Sequence, residues 1–194
     1  MHSGSCLKRF ALGLTAVACI SFTTPAGAVQ AQFTPLMDAT LYEDAEGDVA
    51  NGSGEHLYFG KTGAAGSPPL RRALVKFDLT PIPPNASIES VSLTLEINNV
   101  PFGSQAGQAA LHRVTASWGE GASVASGEGG QGGPAQTGDA TWQHRFYPGT
   151  TWTSDGGDFE PVASAEEGYG FNPETLVFSS TASLVADVTA WVHD

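Results

Sequence analysis

Residues 71–79 read Arg-Arg-Ala-Leu-Val-Lys-Phe-Asp-Leu and alternate strictly: Ala73, Val75, Phe77 and Leu79 fall on one face, Arg72, Lys76 and Asp78 on the other. A two-residue period is that of a half-buried strand and does not suit a helix. After a Pro-Ile-Pro-Pro connection, residues 88–97 repeat the pattern, with Val91, Leu93, Leu95 and Ile97 opposed to Ser92, Thr94 and Glu96. Two such segments joined by a short proline-set link are expected to pair as antiparallel neighbours. Charged residues make up only 14% of the chain, and its 24 glycines and 12 prolines favour turns over long surface helices. The expected fold class is all-β, an antiparallel β-sandwich of jelly-roll type.

The 194 residues suffice for one domain and a targeting segment. Residues 1–28 have the form of a secretory signal peptide. His2, Lys8 and Arg9 form a basic start, residues 10–20 an apolar run too short to span a bilayer, and Ala26-Gly27-Ala28 a small-x-small cleavage site. Lipid attachment at Cys19 competes with this, but Ala16 stands where a branched apolar side chain is expected. The expected organisation is a leader over 1–28, a short linker over 29–37 and a domain over 38–194. Cleavage would remove Cys6 and Cys19, leaving neither a disulfide nor a thiolate metal site. The remaining 6 Lys and Arg against 20 Asp and Glu give a net charge of −14. Such a surface repels nucleic acid and anionic membranes, and no stretch predicts a membrane span.

Further strands are expected over 36–42, 109–114 and 176–179, with extended chain over 56–60. Residues 43–54 have no period and are expected to be a loop. The Gly-rich stretch 118–138 is expected to be a long surface loop too flexible to pack. Residues 183–192 fit a short helix, because Leu184, Val188, Trp191 and Val192 share a face and Ser183 can cap it; an alternating strand remains a rival there. No internal repeat of 20 to 50 residues is present.

Several segments taken in order resemble the bacterial DNRLRE domain, which is related to the family 96 carbohydrate-binding modules. They are Arg72-Ala-Leu-Val-Lys-Phe-Asp-Leu, Ile82-Pro, Ala86-Ser-Ile-Glu-Ser-Val-Ser-Leu-Thr-Leu, Trp118-Gly-Glu-Gly, Ala140-Thr-Trp, Trp152 with Gly156-Gly-Asp-Phe, and Asp187-Val-Thr-Ala-Trp. The resemblance covers roughly residues 38–194 and rests on their order. It implies a secreted, non-catalytic β-sandwich that binds polysaccharide, often beside polysaccharide-degrading enzymes. Asp-Val-x-x-Trp is normally followed there by further strands that do not follow it here, so a truncated product with an open sheet edge is expected, one able to pair with another chain.

Within that frame, exposed aromatic rings can stack on the apolar faces of sugars. Trp118, Trp142, Tyr147 and Trp152 are the candidates, Tyr147 being the one expected at the surface beside Pro148-Gly149; the alternative for each Trp is a plug at the end of the sandwich. Arg71, Arg72 and Lys76 could hold the carboxylates of an acidic polysaccharide, or form a cross-strand ladder with Asp78 and Glu96. Asp44, Glu46, Asp48 and Asn51 place several oxygens in one loop and are candidate Ca²⁺ ligands, although the run is not an EF-hand; Asp155, Asp158 and Glu160 are a second such group. Residues 127–132 fit Gly-x-Gly-x-x-Gly without the flanking strand and helix that a dinucleotide site needs. No nucleophile elbow, His-Glu-x-x-His or Cys-x-x-Cys is present. The expected function is polysaccharide binding without catalysis. A structural or adhesive surface module and a hydrolase or lyase are the rivals.

Overall fold

The computed structural model describes residues 15–24, 27–61, 70–100, 104–126 and 129–193. The chain forms β1 (Thr15–Thr24), β2 (Gly27–Phe33), β3 (Pro35–Tyr42), β4 (Val49–Ala50), β5 (Gly60–Lys61), β6 (Leu70–Phe77) and β7 (Ser87–Ile97). There follow β8 (Gly107–Leu111), β9 (Gly133–Pro134), β10 (His144–Phe146), β11 (Thr150–Thr151), β12 (Ala165–Tyr169), β13 (Glu174–Phe178) and the helix α1 (Ala182–His193). The architecture is all-β, antiparallel and sandwich-like, with one short helix among the described residues.

The main sheet has the order β13-β7-β1-β2. Its inner face is set by register: Ala16, Leu95 and Leu176 lie in one row, and Ala18, Leu93 and Phe178 in the next. All six side chains are buried. Two alanines in β1 leave room for the larger residues beside them, and at the other end Ile20 and Phe22 cover Val91 and Ile88. Each fully buried large apolar side chain here contributes roughly 1.5 to 3 kcal/mol. The helix closes one side of this core with Leu184 and Val188, while Trp191 stays exposed. Its cap is Thr181 in place of the expected Ser183: the Thr181 hydroxyl accepts the Leu184 N–H at 3.0 Å.

The second sheet has the order β3-β6-β5. Strand β6 is covered on both faces, sending Val75 and Phe77 to the main core and Leu74 to a second one with Ala39 and Leu41. The segments expected to pair with each other therefore lie in different sheets. β6 pairs with β3 and β5, β7 with β1 and β13, and the two face each other across the core. The cause is the link over 78–86. Thr80 is fixed to Asp78 through its N–H and hydroxyl, and Ile82 and Ala86 are buried, so the link turns a corner between layers and makes no hairpin.

Residues 15–37 take part in the sheets. Read as leader and linker, Thr15–Phe33 folds as a hairpin within the main sheet, and residues 35–37 already belong to β3. The apolar run of an export signal and an alternating strand use the same side chains. Here the burial of Ala16, Ala18, Ile20 and Phe22 makes the strand. Cys19 lies out of the core as a half-buried free thiol, and Cys6 falls outside the described residues. Among the described residues no helix is long and apolar enough to cross a membrane.

Candidate functional site

Over the second sheet lies a layer of loops, and it holds most of the residues singled out from the sequence. Trp118, Trp142 and Trp152 pack on Ala39, Leu41 and Leu74, each less than a tenth exposed. The indole N–H of Trp152 donates to the Thr141 carbonyl at 2.9 Å. The three tryptophans pack as plugs of the second core and present little ring face to solvent. Tyr147 is half-buried, with its ring edge-on to His144 at 5.2 Å.

The described parts of this stretch, residues 118–126 and 129–138, do pack, contrary to the expectation from its glycines. Asp139, fully buried, accepts the N–H groups of Ser123 at 3.2 Å and Gln136 at 2.5 Å. Gly121 lets this happen: it has φ of +72°, and a Cβ there would lie 1.7 Å from the Asp139 carboxylate. Beyond residues 127–128, which lie outside the described residues, Tyr42 donates to the Gly129 carbonyl at 2.8 Å and Arg71 to that of Gly130 at 2.7 Å. Polar side chains thus supply the cross-links that a Gly-rich segment lacks.

The three cations do not form a patch. Strand alternation separates Arg71 from Arg72 and Lys76. Arg71 is buried with its guanidinium 5.1 Å from the Tyr42 ring centroid, and Lys76 is exposed, about 13 Å along the strand from Arg72. The expected ladder with Asp78 and Glu96 is also absent. Among the described residues the ion pairs are those of Arg113 with Glu160 at 3.4 Å and Asp187 at 3.5 Å.

The proposed calcium ligands do not converge either. Both ends of the buried Asn51 amide are used, its nitrogen donating to the His56 carbonyl at 2.9 Å and its oxygen accepting the Ala125 N–H at 2.9 Å. Asp44 accepts the N–H of Asp48 at 3.2 Å, and Glu46 and Asp48 are exposed. Among the described residues no group of three or more His, Cys, Asp or Glu is placed to hold a metal, which applies equally to Asp155, Asp158 and Glu160. Two carboxylates do approach each other at the open edge of β3. Asp38, whose N–H donates to Glu120 at 3.0 Å, has its carboxyl pushed up to about 6 by burial and by the Glu120 charge.

The surface feature with binding character is a cleft of about 680 Å³ at the edge of this loop layer, lined in part by Arg72, Thr115, Thr153, Asp155, Asp158 and Phe159. Arg72 is fixed on its wall. The guanidinium is held between two rings, 4.9 Å from the Trp142 centroid and 5.0 Å from that of Phe159, and donates to the Gly156 carbonyl at 2.6 Å. Burial lowers its pKa, partly opposed by the charge of Glu43. Gly156, with φ of +86°, is required here: a Cβ would lie 2.4 Å from the Arg72 guanidinium and 2.9 Å from Trp142. The next turn is tied by Asp158, which accepts the Thr153 N–H at 2.9 and 3.0 Å and that of Ser154 at 3.1 Å. These bonds hold its carboxyl below the usual range. Phe159 is 37% exposed at the wall of the cleft and is located by a bridge to Val114.

Phe159, Arg72, Asp155, Asp158, Thr115, Thr153 and Ser154 thus line one space. Of the residues chosen from the sequence as sugar ligands, Arg72 lines this cleft; Trp142 backs it from inside. Phe159, which also lines it, was not singled out from the sequence as a candidate site residue. The signal was present in Gly156-Gly157-Asp158-Phe159, where two glycines and a turn-forming Asp thrust the next ring outward. No family model, curated protein or solved structure matches the chain.

Proposed function

We propose that the protein is an exported, non-catalytic carbohydrate-binding domain whose cleft between Arg72 and Phe159 takes a segment of a neutral polysaccharide. The observation that carries this is the exposed Phe159 ring bordered by a pinned guanidinium and by side chains that accept and donate hydrogen bonds. A sugar offers an apolar face for such a ring and hydroxyls for such a rim. Neutrality follows from charge. Among the described residues Arg72 is the one cation lining the cleft, Asp155 and Asp158 line it too, and the region after residue 28 has a net charge of −14. The non-catalytic part rests on the resemblance of the sequence to carbohydrate-binding modules, and the Asp158 carboxylate is engaged by the Thr153 and Ser154 N–H groups.

A glycan-array screen of the full chain tests the proposal. Retention of one or more neutral polysaccharides, lost in Phe159→Ala, is expected; no glycan retained refutes it. Release of reducing ends from a bound polysaccharide, abolished by Asp155→Asn, would overturn the non-catalytic part.

A further inference from the structure

The sheets β3-β6-β5 and β12-β8 are separate, and a cavity of about 350 Å³ lies between them. On its β5 side the ladder of β6 covers only Leu70 and Arg71 among the described residues, and β8 is paired with β12 alone. Residues 71–74 of β6 and 108–112 of β8 line the cavity. Consecutive strand residues point to opposite faces, so a space lined by a run of each lies along the strand edges and passes between the two sheets. Inward it reaches Leu95 and Phe178 of the main core. Outward it reaches Gly157, Asp158 and Phe159, which with Arg72 also line the cleft.

The lining is mainly apolar, and rings are prominent in it. Phe59 and Tyr169 meet edge to face at 5.5 Å, and His112 and Phe159 at 5.1 Å. A further ring adds aromatic contacts to such walls beyond what burial of an aliphatic group gives. A cavity of about 150 Å³ already holds benzene. The larger space here takes one ring with a short substituent. Among the polar groups of the lining, Arg71, Arg72, Gln108 and Asp158 are engaged by the Gly130 carbonyl, the Gly156 carbonyl, Glu166 and the Thr153 N–H. His112 differs. Its Nδ1 lies 2.8 Å from the Glu160 carbonyl, which only accepts, so Nδ1 carries the proton and Nε2 of the neutral ring is an acceptor. A hydroxyl on the ligand is the group that such an atom binds.

We propose that this cavity is a binding site for a small aromatic group: one ring carrying a hydroxyl, taken free or as a substituent of a glycan in the cleft. The ring lies between β6 and β8 against Phe59, Tyr169 and Phe159, and the hydroxyl bonds to His112. The site rests on its own lining and does not depend on glycan binding.

The test titrates the full chain with benzyl alcohol and with cyclohexylmethanol, which share a carbon skeleton and differ in aromaticity, and follows amide NMR shifts. Saturable shifts at Ala73, Leu74 and residues 108–112 are expected with benzyl alcohol, with cyclohexylmethanol bound about threefold more weakly. Ala109→Leu, which adds bulk to the lining, should weaken benzyl alcohol binding about tenfold. Should that variant lose Tm, Phe59→Leu, which removes a wall ring without adding bulk, is expected to erase the preference for benzyl alcohol. No saturable shift, equal binding of the two probes, or affinity and preference unaltered in both variants overturns the proposal. Affinity electrophoresis reads the source of the ring. Benzyl alcohol that releases the protein from a retained polysaccharide assigns the ring to the glycan, and unchanged retardation assigns it to a free compound.

Discussion

Replacing Asp38 by Asn should stabilise the protein above pH 6 and have little effect below pH 4. The Asp38 carboxyl lies at the edge of β3 beside Glu120, and burial, reinforced by that charge, lifts its pKa from 3.8 to about 6. The folded state thus binds this proton more tightly than the unfolded chain does. The stability this contributes is complete below pH 3.8 and is lost as pH rises through about 6. The full gap corresponds to about 3 kcal/mol at 1.36 kcal/mol per pH unit. Water reaches part of the half-buried Asp38 side chain and screens its charge, which reduces the expected effect to about 1 to 2 kcal/mol. Asn is neutral at every pH and nearly isosteric, so the variant should lack this slope. Urea unfolding of both proteins from pH 4 to pH 8 measures it. Curves that stay parallel across that range would refute the reasoning. Glu120→Gln, which keeps an oxygen for the Asp38 N–H while removing the neighbouring charge, should recover a smaller share of the same difference.

Three further outcomes follow from the packing. Trp152→Phe should cost about 2 to 4 kcal/mol in denaturant unfolding, because it orphans the buried Thr141 carbonyl and leaves a cavity where part of the indole lay; a neutral result would mean that water fills the space and replaces the hydrogen bond. Gly156→Ala should lower stability by about 1 to 3 kcal/mol and weaken glycan retention together, since positive φ and the 2.4 Å approach both act against Arg72; loss of one without the other would separate cleft from fold. Millimolar calcium or a chelator should leave Tm unchanged, because Asn51 is spent on backbone groups and its acidic neighbours do not converge; a saturable rise in Tm with calcium would show otherwise.

Local pattern made β3, β6, β7, β13 and the final helix legible, since each has its own two-residue or helical period and a buried face to match. Pairing was not legible. Nothing in the prolines of 78–86 distinguishes a hairpin from a corner until Ile82 and Ala86 are seen to be buried. The hairpin over Thr15–Phe33 was hidden because the same apolar residues satisfy an exporting machinery and a sheet core alike. The long Gly-rich segment looked unpackable for a related reason. Its order comes from residues distant in sequence, such as Asn51, Tyr42 and Arg71, and no local composition reports those. At the candidate site, residue type pointed to tryptophan as the sugar platform. Tryptophan's large apolar area is what buried it under the loops, leaving the smaller ring of Phe159 outside.

Affinity electrophoresis of the full chain through gels containing a neutral polysaccharide retained on the array, comparing wild type with Phe159→Ala and Tyr147→Ala at matched Tm, tests the binding cleft most directly. Retardation of wild type and Tyr147→Ala, with free migration of Phe159→Ala, is the predicted result. Equal retardation of wild type and Phe159→Ala would contradict the cleft as the binding site.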